Sequence, residues 1–497
     1  MNKISNKISN QSLFYLILFI NIAILLITVS NTYTDGYNLR QSQTAILAKN
    51  IFYDNFNIFP TRLSIFAPVK GDIIFEFPFV HFLTALTYKF SPISEINGRL
   101  INLLFYIFNG IIFFKIQRLI FKDNLSSIIS ILFISSPKIL YLAHAFMPET
   151  SMMFFYLLTY YFFIKNKIEY NHVNEKLMFI FLAITPLLKP HAGVIFFPIF
   201  LDYLREFKFK YIIRKSIPFF ISALPFLLWM YYGTVINNSD INSSEWSWNN
   251  VLISGYLIEY WFNFSFYLKI ISNFLIQHLN PLTFILSVYA LIISSKSKDP
   301  LIKFHLNWIF GNLLFLFLLP GINLGHPYYQ IIFIPSLLFF TGLGIQKIKA
   351  AFSYKDFFIY SLVLINLISS IAIFVYGSNE KLRISNLDEF KNVVAHKVII
   401  KKDLPSEYIL YSHKGMAYTA VYPYYSDSYS RQFNLESENI SDLKERINSG
   451  AKYIFFLNSS YGNTIKQLKN NSDIFNWLNS EQNKLYESAN IILYKLQ

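Results

Sequence analysis

The sequence predicts an α-helical polytopic membrane protein with about 11 transmembrane helices and a small C-terminal extracytoplasmic α/β domain. Hydrophobic residues make up 54% of the 497 residues and charged residues only 14%, whereas soluble domains carry about 25% charged residues. Apolar runs recur along the first three quarters of the chain. Residues 377–497, by contrast, hold 15 of the 43 Lys and Arg residues and 13 of the 29 Asp and Glu residues, as in a soluble domain.

The transmembrane spans follow from the length of the apolar runs, since a helix needs about 20 apolar residues to cross a bilayer. The first run lacks a small-x-small cleavage pattern after it, which favours an uncleaved span over a signal peptide. Lys189-Pro190 divides a short pair of runs, which form either two short helices or one broken re-entrant hairpin. The predicted spans are 12–30, 98–121, 124–142, 149–165, 177–188, 191–203, 216–234, 271–295, 304–320, 329–345 and 356–376.

Basic residues between the runs indicate the topology, because cytoplasmic loops are enriched in Lys and Arg. With the N-terminus placed in the cytoplasm, every loop on that side has at least three basic residues, and the opposite short loops have one or none. This topology places the C-terminal domain on the extracytoplasmic side of the cell membrane. The loop residues are Lys115, Arg118, Lys122, Lys165, Lys167, Lys176, Arg205, Lys208, Lys210, Arg214, Lys215, Lys296, Lys298, Lys303, Lys347, Lys349 and Lys355.

The predicted domains are a membrane domain at residues 1–376, with 31–97 as its first outer loop, and a soluble domain at 377–497. Within the first loop, the apolar stretch 75–90 is too short for a span and predicts an interfacial helix. A second outer segment, 235–270, carries Trp246, Trp248 and Trp261, which suit a membrane interface.

The soluble domain shows short strand-like runs alternating with helical segments, which predicts a small α/β fold. The strand-like runs are 408–411, 452–457 and 491–496, and the helical segments are 436–449 and 463–485.

Charge and motif content exclude several functions. The net charge of +14 lies mostly in the short loops and does not indicate nucleic-acid binding. The chain has no cysteine, which excludes disulfides and cysteine-based metal sites. Neither a phosphate-binding P-loop nor a dinucleotide, HExxH or GxSxG motif is present, so soluble nucleotide chemistry is not expected.

Asp35 is the first candidate for chemistry, because it follows the first span almost immediately at the outer lipid boundary. A carboxylate there can accept a proton from an acceptor hydroxyl or amine. The alternative is an N-cap for the helix that covers residues 38–50. Arg40 lies five residues further on, and Glu76 stands in the same outer loop. Glu76 therefore either pairs with Asp35 around a reaction centre or forms an ion pair with Lys70 or Arg99.

Charged residues near the outer face of later spans are further candidates, because charge in lipid is costly. Arg99 opens the second span, where snorkelling to the interface is the alternative. Glu149 opens the fourth span after Pro148, where the helix dipole also favours an acid. Lys189 lies within an apolar pair and needs an anionic partner, which is either a lipid phosphate or a carboxylate such as Glu149 or Asp35.

The outer loop that opens the tenth span carries His326, Tyr328 and Tyr329, which either bind phosphate or sugar oxygens or form an aromatic belt. His81 and His144 are candidates to join Glu76 around a cation, but two histidines at unrelated positions predict no metal site.

Taken in order, four motifs resemble the GT-C glycosyltransferases, and most closely the branch of protein O-mannosyltransferases and the aminoarabinose transferase of lipid A. The similarity covers about residues 12–345. The motifs are Thr34-Asp35-Gly36-Tyr37 with Arg40-Gln41 and Thr44-Ala45; Glu76-Phe77-Pro78 leading to Gly98-Arg99-Leu100; Pro148-Glu149 followed by Leu188-Lys189-Pro190; and His326-Pro327-Tyr328-Tyr329-Gln330 with Pro335.

The resemblance implies an inverting transferase that moves a sugar from a polyprenyl-phosphate donor to a lipid, glycan or protein acceptor on the outer face. Asp35 matches the family's acidic motif and is the expected general base, and Glu76 matches the second loop acid. Lys189 and Tyr329 match positions around the donor phosphate. Glu149 stands where the family often has Asp, and Arg99 matches the basic residue that opens the second span.

The sequence departs from the family pattern at two positions: the common pair of acids is here Asp35-Gly36, and the residue after the second acid is Phe77. No cofactor is predicted; the sequence does not support a divalent cation, although one remains open. Three other functions also remain open: a transporter or flippase of lipid-linked sugars, an oligosaccharide ligase or polymerase, and a purely structural membrane receptor. Against the first two, no second broken helix pair matches 177–203, and segment 235–270 has only Lys269 as a basic residue.

Overall fold

The computed structural model describes residues 10–59, 76–121, 123–206, 209–239, 258–351, 355–378, 387–395, 408–413, 420–426, 428–459 and 462–497. They form two compact units. The first consists of the described residues within 1–29, 99–234 and 246–376, and the second of those within 30–98, 235–245 and 377–497. The second unit therefore combines the first outer loop with the C-terminal segment. The predicted boundaries at 1–376 and 377–497 stay a prediction.

The described residues up to Ser378 are mainly helical, as predicted, and each predicted span falls on a helix or on consecutive helices. The longer elements are Asn10–Ile27, Glu95–Ile120, Asp123–Ile134, Pro137–His144, Glu149–Ile168, His172–Leu188, Phe196–Glu206, Phe209–Ser239, Phe264–Ser272, Pro281–Ser294, Pro300–Leu318, Pro320–Gly325, Ile334–Ala351 and Lys355–Ser378. Short 3-10 segments cover Pro190–Ile195, Ile258–Phe262 and Pro327–Phe333, and one π-helical turn covers Asn273–His278.

Among the residues placed by the structure, four helices are long and apolar enough to cross a membrane, and up to six if each of two bent pairs counts as one span. The helical membrane fold is thus confirmed, while the total of 11 crossings and the cytoplasmic N-terminus stay predictions.

Two predicted spans are bent rather than straight. The predicted span 271–295 contains a 117° bend between its helices, and 124–142 contains a 55° bend. Each bend precedes a proline, Pro281 or Pro137, which lacks the N–H that would continue the previous helix but suits the first turn of a new one. Asn280 caps the N-terminus of the next helix, because its side-chain oxygen accepts a hydrogen bond from Thr283 N (2.8 Å).

The second unit contains a mixed five-stranded sheet: β1 is Tyr408–Ser412, β2 Tyr429–Gln432, β3 Ala451–Leu457, β4 Asn483–Glu487 and β5 Ile491–Lys495. The order is β2-β1-β3-β5-β4, with β1 parallel to β2 and β3, and β5 antiparallel to β3 and β4. Helices of this segment are Leu387–Val393, Val421–Ser426, Ile440–Asn448, Thr464–Asn470 and Ser472–Glu481. Apolar side chains are buried in two clusters that share the strands, so the predicted α/β domain is confirmed.

Sequence reasoning found three of the five strands. The predicted helix 463–485 is wrong at its end, because residues from Asn483 form β4. This edge strand is largely exposed and polar, so it lacks the alternating apolar pattern that predicts a strand. Strand β2 has only four residues and was likewise missed.

The first outer loop contributes two helices to the second unit, Asn38–Tyr53 and Phe79–Thr87. The second of these lies within the predicted interfacial stretch 75–90 and follows Pro78. Its position at a membrane surface stays a prediction. Lys70, residue 75, Trp246 and Trp248 lie outside the described residues.

Candidate active site

Asp35 lies in a tight loop before the helix Asn38–Tyr53 and is only 4% exposed. Gln41 Nε2 donates to Asp35 Oδ1 and also to the Gly36 carbonyl oxygen (2.7 Å). The residue at the N-cap position is Tyr37, in a left-handed conformation (φ 58°) and without a side-chain cap hydrogen bond. The observed geometry therefore does not support the N-cap alternative for Asp35. Its carboxylate is instead oriented by an amide from the first turn of the helix.

Glu76 forms an ion pair with Arg40, through Glu76 Oε1 and Arg40 Nη2. The side chains are 6% and 16% exposed respectively. Sequence reasoning had offered Lys70 or Arg99 as the partner of Glu76. Since Arg40 directly precedes Gln41, the two acids of the loop are both held by the first turn of one helix. This arrangement agrees with the expectation that Asp35 and Glu76 share one site.

In the first unit, Glu149 and Lys189 form an ion pair with Lys189 Nζ 2.8 Å from Glu149 Oε1. Both are buried, with side-chain exposures of 0% for Glu149 and 3% for Lys189. Glu149 begins the helix Glu149–Ile168 after Pro148. Lys189 stands in an extended conformation (φ −152°) where the helix His172–Leu188 ends. The expected anionic partner of Lys189 is thus present in the protein itself.

Aromatic rings surround this ion pair. Lys189 Nζ lies 5.7 Å from the centre of the Tyr329 ring. His191 stacks on the same ring, with centroids 4.3 Å apart. Tyr328 and His326 complete the group, because the Tyr328 hydroxyl lies 3.0 Å from His326 Nδ1 and the His326 ring is 5.5 Å from that of Tyr329. One ammonium, two imidazoles and two phenols therefore lie close together.

A glycine on the helix Pro300–Leu318 helps to bring Lys189 and His191 into place. A Cβ at Gly311 would lie 3.0 Å from Phe197 Cδ1 and 3.2 Å from Val194 Cγ1. The same helix places Phe315 beside His191, with ring centroids 5.9 Å apart. Close packing at Gly311 thus fixes the segment that follows Lys189.

Arg99 is held by a separate set of contacts. It is 1% exposed, so it does not extend to an interface as the snorkelling alternative requires. Arg99 Nη1 lies 3.0 Å from His144 Nδ1 and donates to the Thr28 carbonyl oxygen (3.4 Å). Both ring nitrogens of His144 contact Arg99 Nη1, and because a guanidinium only donates hydrogen bonds, a His144 nitrogen can take part only as an acceptor.

The structure therefore gathers eight of the nine candidates into two groups, one in each unit. Asp35, Arg40 and Glu76 form the acidic-loop group of the second unit. The lysine–tyrosine group of the first unit comprises Glu149, Lys189, His326, Tyr328 and Tyr329. Arg99 belongs to neither set of contacts described above.

The sequence predicts no role for Gln41, which stands within a quoted motif, or for His191, which directly follows Leu188-Lys189-Pro190. The useful signal was spacing: Gln41 lies six residues after Asp35, across a turn, and His191 lies two residues after Lys189, across a proline.

Each group has its own chemistry. An ionised, oriented carboxylate can accept a proton. A lysine with phenol and imidazole donors can stabilise charge that develops on a phosphate oxygen. Within the described ranges, no group of three or more His, Asp or Glu side chains could hold a metal ion. The absence of a cofactor stays a prediction.

The family model for dolichyl-phosphate-mannose-protein mannosyltransferases matches residues 76–232. No curated protein matches the sequence. Among solved structures, apo ArnT from Cupriavidus metallidurans is 10% identical, with a TM-score of 0.64 and coverage of 98% of each chain. The same enzyme bound to undecaprenyl phosphate is 9% identical, with a TM-score of 0.62 and 97% coverage of each chain.

The oligosaccharyltransferase of Archaeoglobus fulgidus, in complex with zinc and sulfate, has a similar fold. It is 12% identical, with a TM-score of 0.55, and the alignment covers 88% of this chain and 67% of that one. These matches agree with the resemblance that the sequence motifs indicated.

Proposed function

The chain has the fold of the GT-C superfamily of membrane glycosyltransferases, and from this we propose that it moves a sugar from a polyprenyl-phosphate donor to an acceptor at the outer face of the cell membrane. One observation carries the proposal: the chain aligns over 97% of its length with an ArnT structure that holds undecaprenyl phosphate. The acidic-loop group and the lysine–tyrosine group supply the chemistry that such a reaction needs.

Lys189 is the proposed ligand of the donor phosphate. Its ammonium is compact, has three donors, and lies under the Tyr329 ring in a buried setting. The adjacent Glu149 carboxylate favours the charged form of the buried Lys189 side chain before the donor binds. When the sugar leaves, negative charge grows on the phosphate oxygen, and fixed donors nearby stabilise it most in the transition state. Tyr329, Tyr328 and His326 are proposed as further donors.

Asp35 is the proposed general base. The acceptor hydroxyl or amine gives its proton to the Asp35 carboxylate as its oxygen or nitrogen bonds to the anomeric carbon. The bond between that carbon and the phosphate oxygen breaks, and polyprenyl phosphate leaves with the electron pair. Attack from the side opposite the phosphate inverts the anomeric centre. The Arg40–Glu76 ion pair is proposed to keep the loop of Asp35 in place.

The proposed location of this chemistry rests on the distribution of basic residues. Loops rich in Lys and Arg face the cytoplasm, which puts the loop of Asp35 and the C-terminal sheet outside. A lipid, a glycan and a protein are each compatible with the proposed reaction as the acceptor.

Release of polyprenyl phosphate tests the proposal directly. Purified wild type, Asp35→Asn and Asp54→Asn are incubated with labelled polyprenyl-phosphate sugars and with lipid, glycan or peptide acceptors. Asp54→Asn is the matched control, because Asp54 stands at the opposite end of the same helix. We expect release by the wild type and the control, and a loss of roughly 100-fold or more with Asp35→Asn, within the range for a lost general base.

Two results would contradict the proposal. Equal release by Asp35→Asn would remove the base assignment. Movement of the donor across liposomes without release, for every sugar tried, would make the protein a transporter.

A further inference from the structure

The C-terminal segment Val421–Ser426 packs against the helix Asn38–Tyr53, whose first turn carries Arg40 and Gln41. One hydrogen bond anchors the C-terminal half of that helix: Lys49 Nζ donates to the Tyr424 carbonyl oxygen at 2.9 Å. The ammonium also lies 4.7 Å from the centre of the Tyr424 ring. Lys49 is only 7% exposed, so this contact is shielded from water.

The neighbouring Tyr425 contacts the chain just before Asp35. The Tyr33 backbone N–H donates to the Tyr425 hydroxyl at 3.0 Å. That hydroxyl in turn donates to Glu95 Oε1 at 2.6 Å. A phenol has one proton to donate and lone pairs that accept, so one hydroxyl joins the loop before Asp35 to the carboxylate of Glu95.

Tyr33 is held at its side chain as well. Its hydroxyl donates to the Glu95 carbonyl oxygen at 3.1 Å, and its ring packs edge-on against Tyr424 with centroids 5.2 Å apart. Tyr33 is fully buried. Burial, together with the nearby Tyr33 and Glu95, raises the pKa of Tyr424 well above its usual value, so its hydroxyl remains protonated at any working pH.

These contacts have a consequence for Asp35, which lies two residues after Tyr33. We propose that Tyr425 is a positioning residue: through the Tyr33 backbone it fixes where the Asp35 carboxylate stands, so that the C-terminal domain takes part in the transfer reaction without touching the substrates. The inference rests on the proposed function of Asp35. It gives the C-terminal domain a role, since proton transfer requires the base within hydrogen-bond reach of the acceptor.

The test removes one hydroxyl and keeps the ring. Tyr425→Phe is compared with Tyr486→Phe, which breaks a matched tyrosine–glutamate bond of 2.6 Å, between Tyr486 and Glu389, elsewhere in the same domain. We expect Tyr425→Phe to lower kcat roughly 10-fold, because small misplacements of a reacting group slow the chemical step strongly. The donor KM should change less than about twofold, since Lys189 still holds the phosphate. Tyr486→Phe should leave both constants unchanged.

A second measurement does not need activity. Amide hydrogen exchange of residues 33–41 should be faster in Tyr425→Phe than in the wild type, and unchanged in Tyr486→Phe. If this exchange is unchanged, or if it is faster while kcat stays at the wild-type value, the positioning role is overturned. If the wild type transfers no sugar at all but exchange in Tyr425→Phe is faster, the coupling between Tyr425 and the loop stands and the proposed function falls.

Discussion

Replacing Lys189 by Met separates a structural role of this residue from a functional one. The substitution keeps most of the side-chain volume and removes the charge opposite Glu149. Because the side chains are 3% and 0% exposed and the charged atoms are 2.8 Å apart, Glu149 is left as a buried charge without its counter-ion. Such a loss costs about 3–5 kcal/mol of unfolding free energy.

The double variant Glu149→Leu/Lys189→Met removes both charges and leaves two apolar side chains. Since replacing a buried ion pair by neutral groups of similar volume is often neutral for stability, we expect it to recover most of the lost free energy. A contrasting control is Lys484→Met, which breaks an ion pair with Glu487 whose side chains are 40% and 35% exposed. That change should cost about 1 kcal/mol or less.

The affinity for the donor should respond to these variants differently from the unfolding free energy. A hydrogen bond to a charged group contributes about 1.5–3 kcal/mol, so both the single and the double variant should bind a polyprenyl-phosphate sugar roughly 10- to 150-fold more weakly. Unfolding titrations in mixed micelles give the stability, and titration of labelled donor gives the affinity. If the double variant is both stable and binds donor as the wild type does, Lys189 is only the structural partner of Glu149 and the reasoning is refuted.

Two further predictions concern the second unit. Glu76→Gln removes the partner of Arg40 and should lower kcat about 10-fold by loosening the loop of Asp35; wild-type kcat in this variant would show that the ion pair does not support the site. Burial raises the pKa of Tyr494 to about 12, so its contribution to folding is complete below pH ~10 and is lost as pH rises from there through 12. The alkaline fall in unfolding free energy should therefore be shallower in Tyr494→Phe, and an unchanged slope would contradict this assignment.

Much of the helical membrane fold could be predicted from the sequence, because the length of apolar runs reports directly on burial in lipid. The bends were not predicted, although Pro137 and Pro281 mark both. An apolar run on either side of a proline has the same composition whether the chain continues or turns. Strand β4 escaped because exposed edge positions do not require apolar residues.

For the candidate site, the sequence left the contact partners of most residues open. Glu76 pairs with Arg40, 36 residues away, and Arg99 contacts His144, 45 residues away. Such pairings depend on how distant segments pack, which local patterns do not encode. For Lys189 the sequence predicts an anionic partner, because a buried lysine requires one, but it does not choose between a lipid phosphate, Glu149 and Asp35. The contact of Tyr425 with Tyr33 had no sequence signal.

The central claim is that Asp35 removes a proton while a sugar leaves a polyprenyl phosphate. The most direct measurement is the release of polyprenyl phosphate from a labelled donor by purified wild type, Asp35→Asn and Asp54→Asn, followed from pH 4 to 9. The account predicts release by the wild type and Asp54→Asn, and little release by Asp35→Asn at any pH. Equal rates and equal pH profiles for all three proteins would contradict it.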